Sequence, residues 1–368
     1  MAKARVRILA REELAQHRSE ESCWVVLDRN VYDVTSFLKA HPGGDGYILG
    51  AAGPDDIRST MEEYKHTPKA YDLLQSLPFK GHLGAGEVTV SDDWEATDDF
   101  KPGETDQVAD FEQNEFLDLR KPLAMQMWRN NFSKAYYLQQ VHQPRHLAQT
   151  ARLFGPWYLE MFTRTTWYTI PLIWLPIASY IFLRGTLQFG AIPLPPFRTS
   201  PALPLSLLTA LPASAYAKAA LSFVFGNFVW TLLEYIFHRF LFHLDYYLPD
   251  NNVFLTLHFL MHGIHHYMPM DPLRLVMPPT LFVALSYPMT QLAHLLFPAS
   301  MANCTIAGSF TFYVLYDCMH YALHHTRLPA YVREMKRYHL AHHYKNFELG
   351  FGVTSKIWDY VFNTLLVV

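Results

Sequence analysis

Cysteine is scarce in this 368-residue chain: Cys23, Cys304 and Cys318 are its only three, and no two are close in sequence. That excludes a disulfide framework and a zinc–thiolate site. Charge is scarce too, at 17% Asp, Glu, Lys and Arg against 50% hydrophobic and 15% aromatic residues. This balance points to substantial membrane embedding. The run Met1-Ala-Lys-Ala-Arg-Val-Arg7 has no apolar segment, so no cleavable signal is expected and the N-terminal part should stay in the cytosol. No repeat of fixed period is present, and no basic patch favours nucleic acid over membrane. The little charge there is lies unevenly. Residues 84–118 carry twelve acidic side chains and one lysine, so with −3 overall the rest of the chain is positive by eight.

Histidine is abundant instead. Twelve of nineteen histidines fall in four tight groups: His238 and His243; His258, His262, His265 and His266; His320, His324 and His325; His339, His342 and His343. Positions i, i+3 and i+4 share one helix face. His262, His265 and His266 therefore project together, as do His320 with His324, and His339 with His342 and His343. Imidazole is the commonest side-chain metal ligand, and four groups at ligand spacing indicate a multi-histidine metal centre. Ten are expected to be ligands: His238, His243, His262, His265, His266, His320, His324, His339, His342 and His343. Ten exceeds the four ligands of tetrahedral zinc or the six of octahedral iron, so two metals are expected. Bound imidazoles usually donate their second N–H to a carboxylate or carbonyl. Glu234, four residues before His238, and Asp317, three before His320, are therefore expected to support ligands, together with His258 and His325. For those two histidines plain packing is an equal alternative. His142, His146 and His294 have no partner at ligand spacing.

In the N-terminal part, Trp24-Val-Val-Leu-Asp28 and Val31-Tyr-Asp-Val34 read as short strands around a turn. A short helix then stops at His41-Pro-Gly-Gly44, Ile48, Leu49, Ala52, Ile57 and Met61 recur at helical intervals, and His66 follows 25 residues after His41. This pattern resembles a cytochrome b5 domain, an α+β fold, over essentially all of residues 8–83, which makes 1–83 the first domain. The resemblance implies that His41 and His66 are the axial ligands of a haem b. Iron held by two imidazoles has no position left for O₂, so such a haem carries electrons. His17 and His82 lie outside the motif and are expected at the surface. Residues 84–120 lack hydrophobic periodicity and read as an acidic flexible linker. A sharper alternative is that this stretch pairs with basic cytosolic surface on the next domain.

Residues 121–368 read as an all-α integral membrane domain with about four spans, near 167–183, 219–237, 275–297 and 302–323. With the first domain cytosolic, four crossings bring all four histidine groups to one membrane face, as a cytosolic helical cap. Arg327, Arg333, Lys336, Arg337 and Lys345 follow the fourth span, and the loop before it has no Lys or Arg, as the positive-inside rule requires. Residues 185–218 are expected as a lumen-side connection. The stretch 119–163 is expected at the interface, with Trp128, Trp157 and Tyr158 at headgroup level or in ordinary packing.

A two-metal site beside an electron-carrying haem points to reductive O₂ activation, for which iron is the redox-active choice. Zinc binds imidazole sites more tightly than ferrous iron and is possible in purified protein. The spacings His238-X₄-His243, His262-X₂-His265-His266, His320-X₃-His324 and His339-X₂-His342-His343 resemble the fatty acid hydroxylase branch of the membrane-bound histidine-motif superfamily. The order of the two domains resembles its fatty acid 2-hydroxylases. That resemblance implies an endoplasmic reticulum enzyme that 2-hydroxylates acyl chains of ceramide or its precursors, with electrons from an NADPH-dependent reductase passing through the haem. The tail Asn363-Thr-Leu-Leu-Val-Val368 has no dibasic retrieval signal, so retention would have to come from elsewhere. Ligand spacing leaves a desaturase or sterol-type oxidase open. A metal-binding or transport protein has no evident use for the haem, and a tethered electron carrier would leave four spans and ten placed histidines unexplained.

Overall fold

The computed structural model describes residues 8–9, 11–83, 96–97, 100–195, 201–325 and 328–367. The basic start, residues 84–95 of the acidic connector and Arg327 lie outside the described residues.

The first domain is a four-stranded sheet in the order β1 (Ile8–Leu9), β4 (Phe79–Leu83), β3 (Asn30–Asp33), β2 (Trp24–Leu27). Asp28 and Arg29 between β2 and β3 both have left-handed φ, 49° and 65°. That geometry makes the two-residue hairpin turn whose twist matches the flanking strands. Helices Asp45–Ala51, Arg58–Glu63 and Pro68–Ser76 complete the domain, and Val25, Leu27, Leu38, Met61 and Leu74 fill the core beneath them. His17 is half-buried, not fully exposed as expected. Its ring stacks on Trp24 with centroids 3.5 Å apart, because the chain reversal at 16–23 folds back over β2. His82 is half-buried in β4.

The expected flexible linker is structured over its second half. Residues Gln107–Asn114 form a helix capped by Asp106, whose carboxylate accepts from the Val108 and Ala109 amides. Asp110 on this helix meets Arg145 at 3.0 Å, and Tyr136 donates to the Asn114 carbonyl. Thr105 and His146 exchange backbone and hydroxyl hydrogen bonds at 2.9 Å. One acid of this stretch, Asp110, thus meets a buried cation of the next domain, Arg145.

Four long helices organise the second domain: α1 (Thr169–Phe189), α2 (Ala213–Ile236), α3 (Pro279–Leu296) and α4 (Ala299–His325). A fifth, α5 (Ala330–Tyr344), carries the last histidine group. The structure shifts the expected spans. The first runs beyond Arg184 to Phe189. The third begins only at Pro279, because Pro278-Pro279 excludes helix before it and presets φ at the first helical turn. Two helices, Thr169–Phe189 and Ala213–Phe242, are long and apolar enough to cross a membrane. The expected four are not reached on that standard of length and composition: α3 carries Gln291 and His294 within it, and α4 carries Asn303, Ser309 and Asp317 on its buried side. Gly226 of α2 and Gly308 of α4 let these helices touch backbone to backbone. A Cβ at either would sit 2.0 Å from a carbonyl oxygen of the other helix. Above them, helices 123–129 and 134–141 pack Met127, Tyr137 and Val141 on Leu255, Phe259 and Tyr267, forming a helical cap. Trp128, Trp157 and Tyr158 are all exposed.

Arg145 is buried and, among the described residues, Asp110 is the one carboxylate that pairs with it. Asp110→Ala should therefore undock the 107–114 helix at a cost of about 3 kcal/mol, the low end for a broken buried pair. Limited proteolysis should cut at 100–115 at least tenfold faster; an unchanged rate would contradict this docking.

Candidate metal centre

Ten of the grouped histidines converge on one buried site. The ligand nitrogens of His265, His320, His324, His339 and His343 all lie within 4.8 Å of one another, and so do those of His238, His243, His262 and His266. His342 joins the second set through its Nε2, 3.1 Å from Nε2 of His243. The two sets of five share an edge, where the rings of His266 and His343 are 4.3 Å apart.

The elements explain which histidines meet. His238 and His243 are five residues apart, a spacing that an α-helix splays across two faces. Residues 237–242 are instead a π-helix continuing α2, whose i→i+5 repeat brings the pair together. A second π segment, 259–263, precedes His265 and His266. It also turns His258 away: His258 Nε2 donates to the Phe242 carbonyl at 2.9 Å, and its Nδ1 pairs with the Tyr137 hydroxyl at 2.7 Å. With both nitrogens occupied, His258 steadies the π-turn beside His243 and offers no lone pair to a metal. Burial depresses its pKa to about 4. His325 lies outside both sets, its ring against Tyr321.

Hydrogen bonds fix several tautomers. His238 Nδ1 donates to the Phe351 carbonyl at 2.6 Å and His342 Nδ1 to the Leu349 carbonyl at 2.7 Å. His243 Nδ1 faces the Asp245 carboxylate at 3.3 Å. Carbonyls and carboxylates only accept, so each Nδ1 carries the proton and each Nε2 a bare lone pair. His243 and His342 then aim lone pairs at each other across 3.1 Å. His238 Nε2 and both nitrogens of His265 are buried with no partner. Such a cluster is unfavourable unless a cation sits among the lone pairs, and an all-imidazole donor set fits borderline metals such as iron, zinc, copper or nickel. Burial first, then mutual repulsion, pushes the pKa of His262, His265, His266, His339, His342 and His343 well below the usual value. They are neutral at pH 7, as ligands must be.

The expected supporting carboxylates act one step removed. Glu234 does not reach His238. It accepts from the amide and hydroxyl of Thr354 at 3.2 and 2.6 Å, pinning the segment whose Phe351 carbonyl holds His238. Asp317 likewise accepts from the Met277 amide at 3.0 Å and the Tyr313 hydroxyl at 3.1 Å. This fixes the 275–277 segment, whose Leu275 carbonyl bonds His320. Helical spacing found both carboxylates but could not show the loops between them and the ligands.

Two contributors escaped that spacing argument. Asp245 lies just beyond the helix end, within 3.5 Å of His142, His243 and His258. Burial alone would raise its pKa, yet the surrounding imidazoles hold it well below the carboxylate range. His142 stacks on Phe347 with centroids 3.5 Å apart and forms a third ligand-like group with His243 and Asp245. The acid at i+2 from His243 was the available signal; for His142 nothing local distinguishes it.

In the first domain, His41 and His66 face one another with centroids 6.2 Å apart and planes 11° apart. Their Nδ1 atoms donate to the Gly44 and Met61 carbonyls at 2.8 and 3.0 Å, leaving both Nε2 lone pairs for a metal between them. Two metal–imidazole bonds of about 2 Å fit that separation. The cavity around them, about 810 Å³, is walled by Val25, Phe37, Ile48, Ile57, Leu73 and Leu74, which suits a flat apolar macrocycle.

Asp317→Ala should release the 275–277 segment and weaken metal binding about 10–100-fold, the usual effect of losing such support, read by chelator competition. His325→Ala should leave affinity unchanged. Equal affinity in Asp317→Ala and wild type would contradict the pinning role.

Comparison with known proteins agrees with this division. Residues 10–84 match the family described as cytochrome b5-like heme/steroid binding domain, and residues 223–364 match the fatty acid hydroxylase family. The ceramide very long chain fatty acid hydroxylase SCS7 of Saccharomyces cerevisiae is 40% identical, over 98% of this chain and 94% of its own. The fatty acid 2-hydroxylase of Rattus norvegicus is 33% identical, over 96% and 94%. A solved structure titled full length scs7p, with only the hydroxylase domain visible, is 42% identical and superposes with a TM-score of 0.63, covering 75% of this chain and 97% of that one. The chain belongs to the fatty acid 2-hydroxylase family, as a member with a cytochrome b5 domain ahead of its helical hydroxylase domain.

Proposed function

We propose that this protein hydroxylates C2 of long or very long acyl chains of ceramide or related sphingolipids. One observation carries the reading. A single cavity is lined by His262 from one histidine set and by His265 and His320 from the other, together with Phe242, Met277 and Tyr316. A C–H bond placed there would meet both sets at once.

The ten histidines would hold two metal ions, five nitrogens to each set, and His41 and His66 would hold a haem b. Two irons so held would supply O₂ activation, the redox chemistry that side chains lack. The balance is one C–H bond, O₂, two electrons and two protons giving C–OH and water. The haem domain would relay electrons from an NADPH-dependent reductase. The protein's own part is positional. The Phe351, Leu275 and Leu349 carbonyls fix ligand tautomers, neutral imidazoles keep the cluster unprotonated, and apolar side chains orient the acyl segment.

All four helices α1–α4 would cross the endoplasmic reticulum membrane, with the cap and haem domain cytosolic. Leu172, Leu221, Val283 and Leu295 stand exposed on α1, α2 and α3, as a lipid-facing belt requires. A site at the cytosolic helix ends would meet acyl carbons near the headgroup, of which C2 is the first reactive one. Both named relatives are hydroxylases, which favours hydroxylation over desaturation or sterol oxidation.

Expressed in a host that lacks 2-hydroxylated lipids but supplies iron, haem and a reductase, the wild type should produce 2-hydroxy acyl sphingolipids, seen by mass spectrometry. His262→Ala should produce none. New double bonds or oxidised sterols in place of 2-hydroxy chains would overturn the assignment.

A further inference from the structure

We propose that a cleft between α2, α3 and α4 holds the hydrocarbon tail of the acyl chain, and that its depth sets the chain length accepted. The inference rests on the C2-hydroxylation reading. Met277 is the hinge of the argument: it lines the reaction cavity beside His262, His265 and His320, and it also lines a second, separate cavity deeper among the helices. No charged side chain lines that second cavity.

The cleft has a mouth, a wall and a floor. Phe237, one residue before His238, stands with Met277 at the mouth. Along α3, Phe282, Leu285, Met289, Ala293 and Leu296 line the cleft. These recur at helical spacing and form one stripe. At the far end Phe225 of α2 and Phe297 meet edge to face, with centroids 6.1 Å apart. From Phe237 to Phe225 along α2 is about 18 Å, and from Pro279 to Phe297 along α3 about 27 Å, at 1.5 Å per residue. An extended carbon chain with bonds of about 1.5 Å advances about 1.3 Å per carbon, so the cleft spans about fourteen to twenty carbons beyond the hinge. With C2 beside the histidines, the tail must pass Met277, and the cleft is the apolar volume that continues from there. A long tail reaches the Phe225–Phe297 floor, whereas a short one leaves the lower cleft unfilled.

Two substitutions read the depth. Ser286→Phe blocks the cleft about 10 Å from the start of α3, and Ala293→Phe about 21 Å from it, at 1.5 Å per residue. Neither residue contacts a histidine set. In the host described above, Ala293→Phe should lower the ratio of 2-hydroxylated C24 to C16 chains about tenfold, the scale of steric discrimination in apolar pockets. Ser286→Phe should also suppress C16 relative to shorter chains. Unchanged chain-length profiles in both variants, at wild-type product yield, would overturn the proposal. An activity-independent arm guards against misfolded variants and against failure of the hydroxylation reading itself. A ceramide with a diazirine at the acyl methyl end is photolysed with the wild-type full-length protein in phosphatidylcholine vesicles. Labelling of the cleft-lining Leu285, Met289, Ala293, Ile306 or Phe310 that excess ceramide displaces and excess phosphatidylcholine does not supports the tail site. Labelling confined to outward residues such as Leu221 or Leu295, or labelling that phosphatidylcholine displaces equally, overturns it. Absence of any 2-hydroxy product with site labelling intact would fault the reaction and leave the cleft assignment standing.

Discussion

Buried imidazoles that point lone pairs at one another form the constraint on which the rest of this structure depends. His243 and His342 face each other at 3.1 Å with both Nδ1 protons committed elsewhere. His262 with His266, and His324 with His339, approach as closely, at 3.1 and 3.0 Å. Desolvation and repulsion make such a cluster costly without cations. The fold must therefore force the rings together, and it does so with backbone geometry that an ordinary helix does not supply. Two π segments, 237–242 and 259–263, change the repeat where His238, His243 and His262 need it.

The same logic extends outward from the ligands. Glu234 and Asp317 sit on α2 and α4, one turn from His238 and His320, yet each clasps a different part of the chain. Through Thr354 and Met277 they hold the segments whose carbonyls orient those histidines. The metal site is thereby tied to the C-terminal segment and to the start of α3, so helix packing and ligand orientation are one problem. Gly226 and Gly308 contribute by bringing α2 and α4 into backbone contact, which sets the distance between the first and third histidine groups.

Much of this was legible in the sequence because helical spacing and short motifs are local. Each of the four histidine groups follows from residues within a few positions of one another, whereas the pair His41 and His66, 25 residues apart, follows from the resemblance carried by the motif around His41. What was not legible depends on contacts distant along the chain. Asp110 reads as part of a tether because its partner Arg145 is 35 residues away. His142 reads as unpartnered because Phe347 is brought beside it only by folding. The π-helices leave no compositional mark, so the His238–His243 spacing could be noted but not explained. The third span was drawn four residues early because its hydrophobicity continues through 275–278, where proline excludes helix and the backbone instead serves the ligands.

The most direct test is metal stoichiometry. The holoprotein, purified in detergent without chelator, is analysed by elemental mass spectrometry alongside haem quantified by its absorbance. Two non-haem metal ions per chain, as iron, zinc or a mixture, are predicted in addition to one haem iron. A preparation that holds its haem and remains folded yet carries one or no further metal would contradict the account, because ten buried imidazoles would then be held together by something else.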